Sequence, residues 1–191
     1  MLGEQNPAYR FAQLTKRPTL GLFVFYLHDK ITLWTKKRLK NTFWVIKILN
    51  KKNIIPVLYG SLGLYQIIEP LGTVDDIDFL VKEVWITDKW DELRSCLEKY
   101  EFKLEDEHEH EFSHPLFSSK IAFGSIEESG RHSGLNLEKA RLVQGKIKYY
   151  TLTAQQYLSA YKACLKDDYR QGKKGDADIQ KIKALEEYLN V

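Results

Sequence analysis

Two short clusters in this chain carry residue types suited to phosphate chemistry. The first is Gly60-Ser61, a small-residue break between the apolar run 54–59 and a second apolar run at 62–68. A strand that turns into a helix at such a break exposes backbone N–H groups at the helix N-terminus, where phosphate oxygens bind. Glycine lets the main chain approach a ligand, and the serine hydroxyl adds a donor. The second cluster is Asp76-Ile77-Asp78, with two carboxylates at i and i+2 of the stretch 75–86. On a strand that spacing sends both side chains to one face, where like charges repel unless a cation lies between them. Mg²⁺ takes oxygen ligands and keeps waters and substrate phosphates in its shell. A phosphate cradle beside a two-carboxylate metal site is the equipment for nucleotidyl or phosphoryl transfer. Either cluster alone is weak, because Gly-Ser and Asp-x-Asp arise by chance and Asp75-Asp76 also suits a plain turn.

The surrounding pattern predicts the elements that hold these residues. Residues 54–59 read as a buried strand, 62–68 as a helix ended by Pro70 and Gly72, and 75–86 as a second buried strand. Asp88 is placed to cap a helix in which Trp90, Leu93, Cys96, Leu97 and Tyr100 share a face. Residues 102–112 alternate like an edge strand, His114-Pro115 makes a turn, and 120–126 is a partner strand. Residues 128–141 read as loop and a short helix, 145–152 as a last strand, and Thr153 opens a helix. A polar loop at 167–177 then leads to a final helix over 178–189, with Asp176 or Asp178 as its cap. The expected fold is α/β (α+β), with a small mixed β-sheet flanked by helices. The division is a basic, aromatic arm with helices at 1–52 and a folded domain at 53–191.

The 191 residues are 43% hydrophobic and 29% charged, which is globular composition. A chain of this length buries roughly 70% of its unfolded surface and needs no staple. Cys96 and Cys164 are its two cysteines, too few for a disulfide framework, and are expected as buried thiols. The net charge of +3 conceals an asymmetry: residues 1–52 balance at +9 and the remainder at −6. The longest uncharged apolar run in the basic third, residues 20–27, is far shorter than the ~20 residues of a membrane span. A cytoplasmic protein without a membrane partner is expected. Basic residues interleaved with Phe23, Tyr26, Trp34, Phe43 and Trp44 allow nucleic-acid binding through this region, and equally suit a helix whose lysines face water.

Taken together, in this order and separation, the stretch VLYGSLGLYQIIEPLGTVDDIDFLV resembles the nucleotidyltransferase superfamily with its polymerase-β-like fold. It looks closest to small bacterial members, of the lincosamide-modifying type and of toxin–antitoxin or abortive-infection systems. The resemblance covers roughly residues 53–191 and does not reach the first 50. It implies that Gly60 and Ser61 hold a nucleoside triphosphate, that Asp76 and Asp78 bind Mg²⁺, and that an acceptor hydroxyl attacks the α-phosphorus. The acceptor could be a small molecule, a protein or RNA. The family usually supplies a third carboxylate from a later strand, but Ala122 and Gly124 occupy the corresponding positions. Glu111 is the first choice to replace it, ahead of Glu109 and Glu127. Without a third acid, the resemblance implies a catalytically degenerate relative that binds nucleotide or a protein partner.

His108, His110 and His114 also invite a zinc reading, since imidazole is a common ligand, but the intervening glutamates equally describe an exposed edge strand. Lys162 and Arg170 are candidates for reaching a phosphate from the C-terminal helices.

Overall fold

The computed structural model describes residues 33–166 and 168–191, with the side chains of 37–166 and 175–191. Expectations for residues 1–32, for the Trp34 side chain, and for the side chains of Arg170, Lys173 and Lys174 lie outside the described residues. The chain divides into two compact units, residues 1–33 and 34–191, and the sheet with the helices packed on it belongs to the second.

Helix α1 (Leu33–Asn50) buries Val45, Ile46, Ile48 and Leu49 in the core while Lys37, Lys40 and Lys47 stay exposed. Its last residue is a clasp: Asn50 Nδ2 donates to the Ile54 and Lys148 carbonyls at 2.9 Å, and its Oδ1 accepts from the Lys148 N–H at 2.6 Å. The chain continues through β1 (Val57–Leu58), α2 (Gly60–Leu64) and β2 (Ile77–Val81), then α3 (Trp90–Glu98). Next come β3 (Lys103–Asp106), β4 (Glu111–Ser113), β5 (Ile121–Ser125) and α4 (Ile126–Ser133). The end of the chain is β6 (Arg141–Gln144), β7 (Lys148–Thr151), α5 (Ala154–Cys164) and α6 (Asp168–Leu189).

The strands form one mixed sheet of seven in the order β3-β4-β5-β2-β1-β7-β6. β2 runs parallel to β5 and antiparallel to β1, and β1 runs parallel to β7. The central strands are buried: Val57, Leu58, Ile77, Phe79, Val81, Ile121 and Phe123 are at most 3% exposed. This is the mixed sheet with flanking helices that the sequence pattern predicts.

Several local expectations are corrected. The single strand over 102–112 is a hairpin, because Asp106 Oδ1 accepts the N–H groups of His108 (2.8 Å) and Glu109 (3.0 Å) and folds the chain back. The helix expected from Asp88 has Lys89 at its N-cap, with no side-chain capping bond. Residues 126–133 are helical rather than loop, since Ser125 Oγ accepts from the Glu128 N–H and Gly134, at φ +70°, ends the helix in the left-handed region. Residues 141–144 form an edge strand in the interval between the expected loop and helix at 128–141 and the expected strand at 145–152. Residues 168–177, expected as a polar loop, are the first turns of α6. Gly172 and Gly175 each cost about 1 kcal/mol of helix propensity, and packing overrides them: Ile182 and Leu185 of α6 are buried in the common core with Tyr157 and Tyr161 of α5. Thr153 does open α5, through a reciprocal cap with Gln156.

Candidate functional site

The apolar pattern of β1 and β2 pins these strands side by side at the centre of the sheet, with Leu58 opposite Phe79. The N–H of Tyr59 donates to the Asp78 carbonyl at 2.9 Å, which brings the Gly-Ser turn and the Asp-x-Asp segment together. Gly60, Ser61, Asp76 and Asp78 all line one cavity of about 460 Å³, within the ~300–1,000 Å³ usual for small-molecule sites.

Gly60 has φ +59°, and a Cβ built there would collide with the Asp78 carboxylate. The glycine is needed twice, for its left-handed backbone and for the space it yields to Asp78. Ser61 is hydrogen-bonded to the hydroxyl of Tyr161, itself part of the cavity wall. Tyr161 stacks on Tyr157 at 6.4 Å, and Tyr157 stacks on Tyr59 at 6.3 Å. Tyr157 donates to the Leu58 carbonyl at 3.0 Å and so ties α5 to β1. Burial drives the Tyr157 and Tyr161 hydroxyls far above the ordinary tyrosine range, with the neighbouring tyrosines and Asp78 adding to the shift. These hydroxyls therefore stay protonated in the field of Asp78.

Helix α6 also lines the cavity, through Ala177, Gln180 and Lys181, and holds what sequence reasoning missed. Lys181 lines the cavity at 8% exposure, with Nζ 3.4 Å from Asp178 Oδ1 and 4.9 Å from the centre of the Tyr161 ring. Asp178 is fully buried in mid-helix, not a cap. The signal was present in the sequence, because Asp178 and Lys181 share their helical face with the core residues Ile182 and Leu185. From the other side Arg38 of α1, 5% exposed, lies in the field of Asp75 and Asp76; burial lowers the pKa of its guanidinium and the two carboxylates oppose that shift. Lys162 instead pairs with Glu186 at 2.7 Å.

The candidate third carboxylates are placed apart. Asp78 is in register with Ala122, and Ala122 with Glu111, so the three share one face of the sheet. Two strand spacings, ~10 Å, separate Glu111 from Asp78, and Glu111 is ion-paired with Lys120. Burial raises the pKa of the Glu111 carboxyl; Lys120 opposes this and Asp76 adds to it. Glu109 is exposed in the β3–β4 turn. Glu127 belongs to another, shallow concavity, where its Oε2 accepts from the Glu83 N–H at 2.7 Å.

The histidines are also dispersed. His114 is enclosed by Trp44, Phe102 and Phe117, its Nδ1 accepting from the Leu116 N–H at 3.1 Å, while His110 lies 4.5 Å from the Trp90 ring. Among the described residues no three His, Cys, Asp or Glu side chains converge as a metal-holding group. Cys96 is buried and Cys164 half-buried, and neither is in a disulfide. No helix among the described residues is long and apolar enough to cross a membrane.

Comparison with known proteins places this geometry. No protein-family model matches the chain. A nucleotidyltransferase-like antigenic protein from Paracoccidioides brasiliensis superposes with a TM-score of 0.53 at 16% identity, over 77% of this chain and 74% of that one. ANT(2″)-Ia, in complex with adenylyl-2″-tobramycin, superposes with the same TM-score at 13% identity, over 81% of this chain and 90% of that one. These likenesses assign the nucleotidyltransferase fold. The uncharacterized protein YnaI of Bacillus subtilis (strain 168) is 35% identical over 147 residues, which are 76% of this chain and 93% of that protein. The chain therefore belongs to the family of Bacillus subtilis YnaI, and it has the nucleotidyltransferase fold.

Proposed function

We propose that the protein is a Mg²⁺-dependent nucleotidyltransferase that moves a nucleoside monophosphate from an NTP to an acceptor hydroxyl. The observation that carries this is that Asp76, Asp78, the Gly60-Ser61 turn and Lys181 line one and the same cavity. The donor set fits the cation: two carboxylates offer hard oxygen ligands, and Mg²⁺ typically takes one or two carboxylates with substrate phosphates completing its shell. Asp75, Asp76 and Asp78 outnumber Lys181 in the lining, so a triphosphate enters as a metal complex and not as the free anion. Asp76 and Asp78 would hold the cation, which would supply charge neutralisation at the phosphates and favour ionisation of the attacking hydroxyl.

The chain's own groups do the rest. Ser61 and the main chain at Gly60 receive phosphate oxygens. Lys181, oriented by Asp178, adds a fixed positive charge to the phosphates. The acceptor oxygen forms a bond to the α-phosphorus as the bond to the leaving pyrophosphate breaks. Glu111 is the carboxylate proposed to take the acceptor proton. The adenylyl-2″-tobramycin held by a neighbour of the same fold supports a hydroxyl acceptor.

The test is a thermal-shift panel of the four NTPs, with and without Mg²⁺, on wild type and Asp78→Asn. A ligand at about a hundred times its Kd stabilises by about 2.7 kcal/mol, or roughly 5–10 °C for a chain of this size. A metal-dependent shift that disappears in the variant is expected; no shift with any nucleotide refutes the proposal. The second reading, a nucleotide-binding relative without transfer activity, draws on Ala122 next to Asp78 and on the pairing of Glu111 with Lys120. Pyrophosphate release separates the two readings.

A further inference from the structure

We propose that the outer edge of β6 is a docking site for an extended acidic segment of a partner protein, which adds to the sheet as a further strand. The inference concerns a different part of the molecule from the cavity and does not depend on the transfer reaction.

Hydrogen bonding fixes which groups this edge presents. Along an antiparallel pair, residues alternate between bonding the partner strand and turning their main-chain groups away from it. Tyr150 donates its N–H to the Pro56 carbonyl at 2.8 Å, and both the N–H and the carbonyl of Lys148 bond Asn50. These two residues of β7 therefore turn away from β6. Their register partners are Leu142 and Gln144, which by the same alternation turn away from β7, while Arg141 and Val143 bond it. Because β6 ends the sheet order, the N–H and carbonyl groups of Leu142 and Gln144 point outward in strand geometry, with no further strand beyond them among the described residues.

The two edges of the sheet differ. β3 carries exposed Glu105 and Asp106 and a register shift between Leu104 and Asp106, both of which discourage strand addition. β6 keeps an unbroken register and exposes Leu142 at 40%. The charge around β6 has one sign: Lys139, Arg141, Lys146 and Lys148 are exposed, and residues 139–148 include no acid, although residues 53–191 balance at −6. Pairing β6 with β6 of a second copy would double that positive charge, and the acidic edge of a second copy is the shifted one. A nucleic acid answers the charge but offers no donors to the Leu142 and Gln144 carbonyls at strand spacing. An acidic strand answers both, its main chain on Leu142 and Gln144 and its carboxylates toward the lysines.

The experiment combines amide hydrogen exchange, read by NMR, with isothermal titration of the full chain. The probe is a capped octapeptide of alternating Glu and Val, compared with its Lys-Val counterpart. In the free protein the Val143 amide should exchange slowly and those of Leu142 and Gln144 fast. The Glu-Val peptide should slow the latter two at least about tenfold and bind at least about tenfold more tightly than the Lys-Val peptide. Leu142→Pro removes an outward donor while sparing the bonds to β7. It should weaken the Glu-Val peptide about tenfold and leave the melting temperature within a few degrees. Lys139→Glu with Lys146→Glu should reverse the preference between the peptides. Failure of wild type to bind the Glu-Val peptide overturns the proposal. Unchanged affinity in Leu142→Pro, with loss in the charge variant, also overturns it and marks a surface for polyanions such as nucleic acid. Slow exchange of Leu142 and Gln144 in the free protein means that the edge is already covered and overturns it too. A second copy is then the occupant if dilution restores fast exchange, and residues 1–32 of the same chain if it does not.

Discussion

Replacing Gly60 by alanine violates two constraints at once, and they can be separated. The backbone at φ +59° costs an L-residue about 1–2 kcal/mol, and the new methyl meets the Asp78 carboxylate. Relieving an overlap of that kind in a packed setting costs typically another ~1–3 kcal/mol. The sum, about 2–5 kcal/mol, corresponds to a melting temperature lower by roughly 5–15 °C. Asp78→Ala removes the carboxylate that the methyl would collide with, keeps only the more distant Cβ, and leaves the backbone conformation alone. In the Asp78→Ala background the cost of Gly60→Ala should therefore shrink to the backbone share, about 1–2 kcal/mol. The assay is a double-mutant cycle from denaturant melts of the four proteins. Independent sites add to within about 0.3–0.5 kcal/mol, so an additive cycle would refute the claim that glycine at position 60 makes room for Asp78.

Two other outcomes follow from the charges. Asp178→Ala leaves Lys181 buried without that partner and should cost about 3 kcal/mol, near the low end for a broken buried pair because the lysine also faces the cavity; a loss below about 1 kcal/mol in a denaturant melt would contradict the assigned pairing. Glu111 holds its proton more tightly in the folded protein than in the unfolded chain, first through burial and then through Asp76, with Lys120 opposing. Wild type thus loses stability as pH rises through the ordinary glutamate range, and Glu111→Gln does not. The melting temperature of the variant relative to wild type should climb between about pH 4 and about pH 7, and a flat or falling difference would count against the reasoning.

Much of the site was legible before the fold was known, because its residues sit on elements with strong local signatures. A β-branched run, a Gly-Ser break and two aspartates two apart entail a turn beside a strand whatever the rest of the chain does, and the structure puts Gly60, Ser61, Asp76 and Asp78 on one cavity. The hairpin at 103–113 escapes the sequence pattern for a local reason: alternation in EHEHEF (107–112) looks like a strand, while the Asp106 side chain makes a turn that periodicity does not register. The cap of α4, Ser125 with Glu128, was also in the sequence as a Ser-x-x-Glu pattern.

What only the tertiary structure decided is long-range. Lys181 lies 120 residues from Ser61 and Arg38 lies 38 residues before Asp76, and no local preference indicates that Lys181 lines the same cavity as Ser61 or that Arg38 lies in the field of Asp75 and Asp76. Helix α6 exists over residues 168–177 because core packing overrides two glycines, and with that helix in place Lys181 lines the cavity while the buried Asp178 pairs with it. The distance of Glu111 from Asp78 is a property of strand order, since β5 comes between β4 and β2 and inserts Ala122 into the row. Amino-acid type and spacing determined which chemistry the chain can carry. Sheet order and helix packing determined which charges meet it, because those contacts depend on loop closures and burial that no short window of sequence contains.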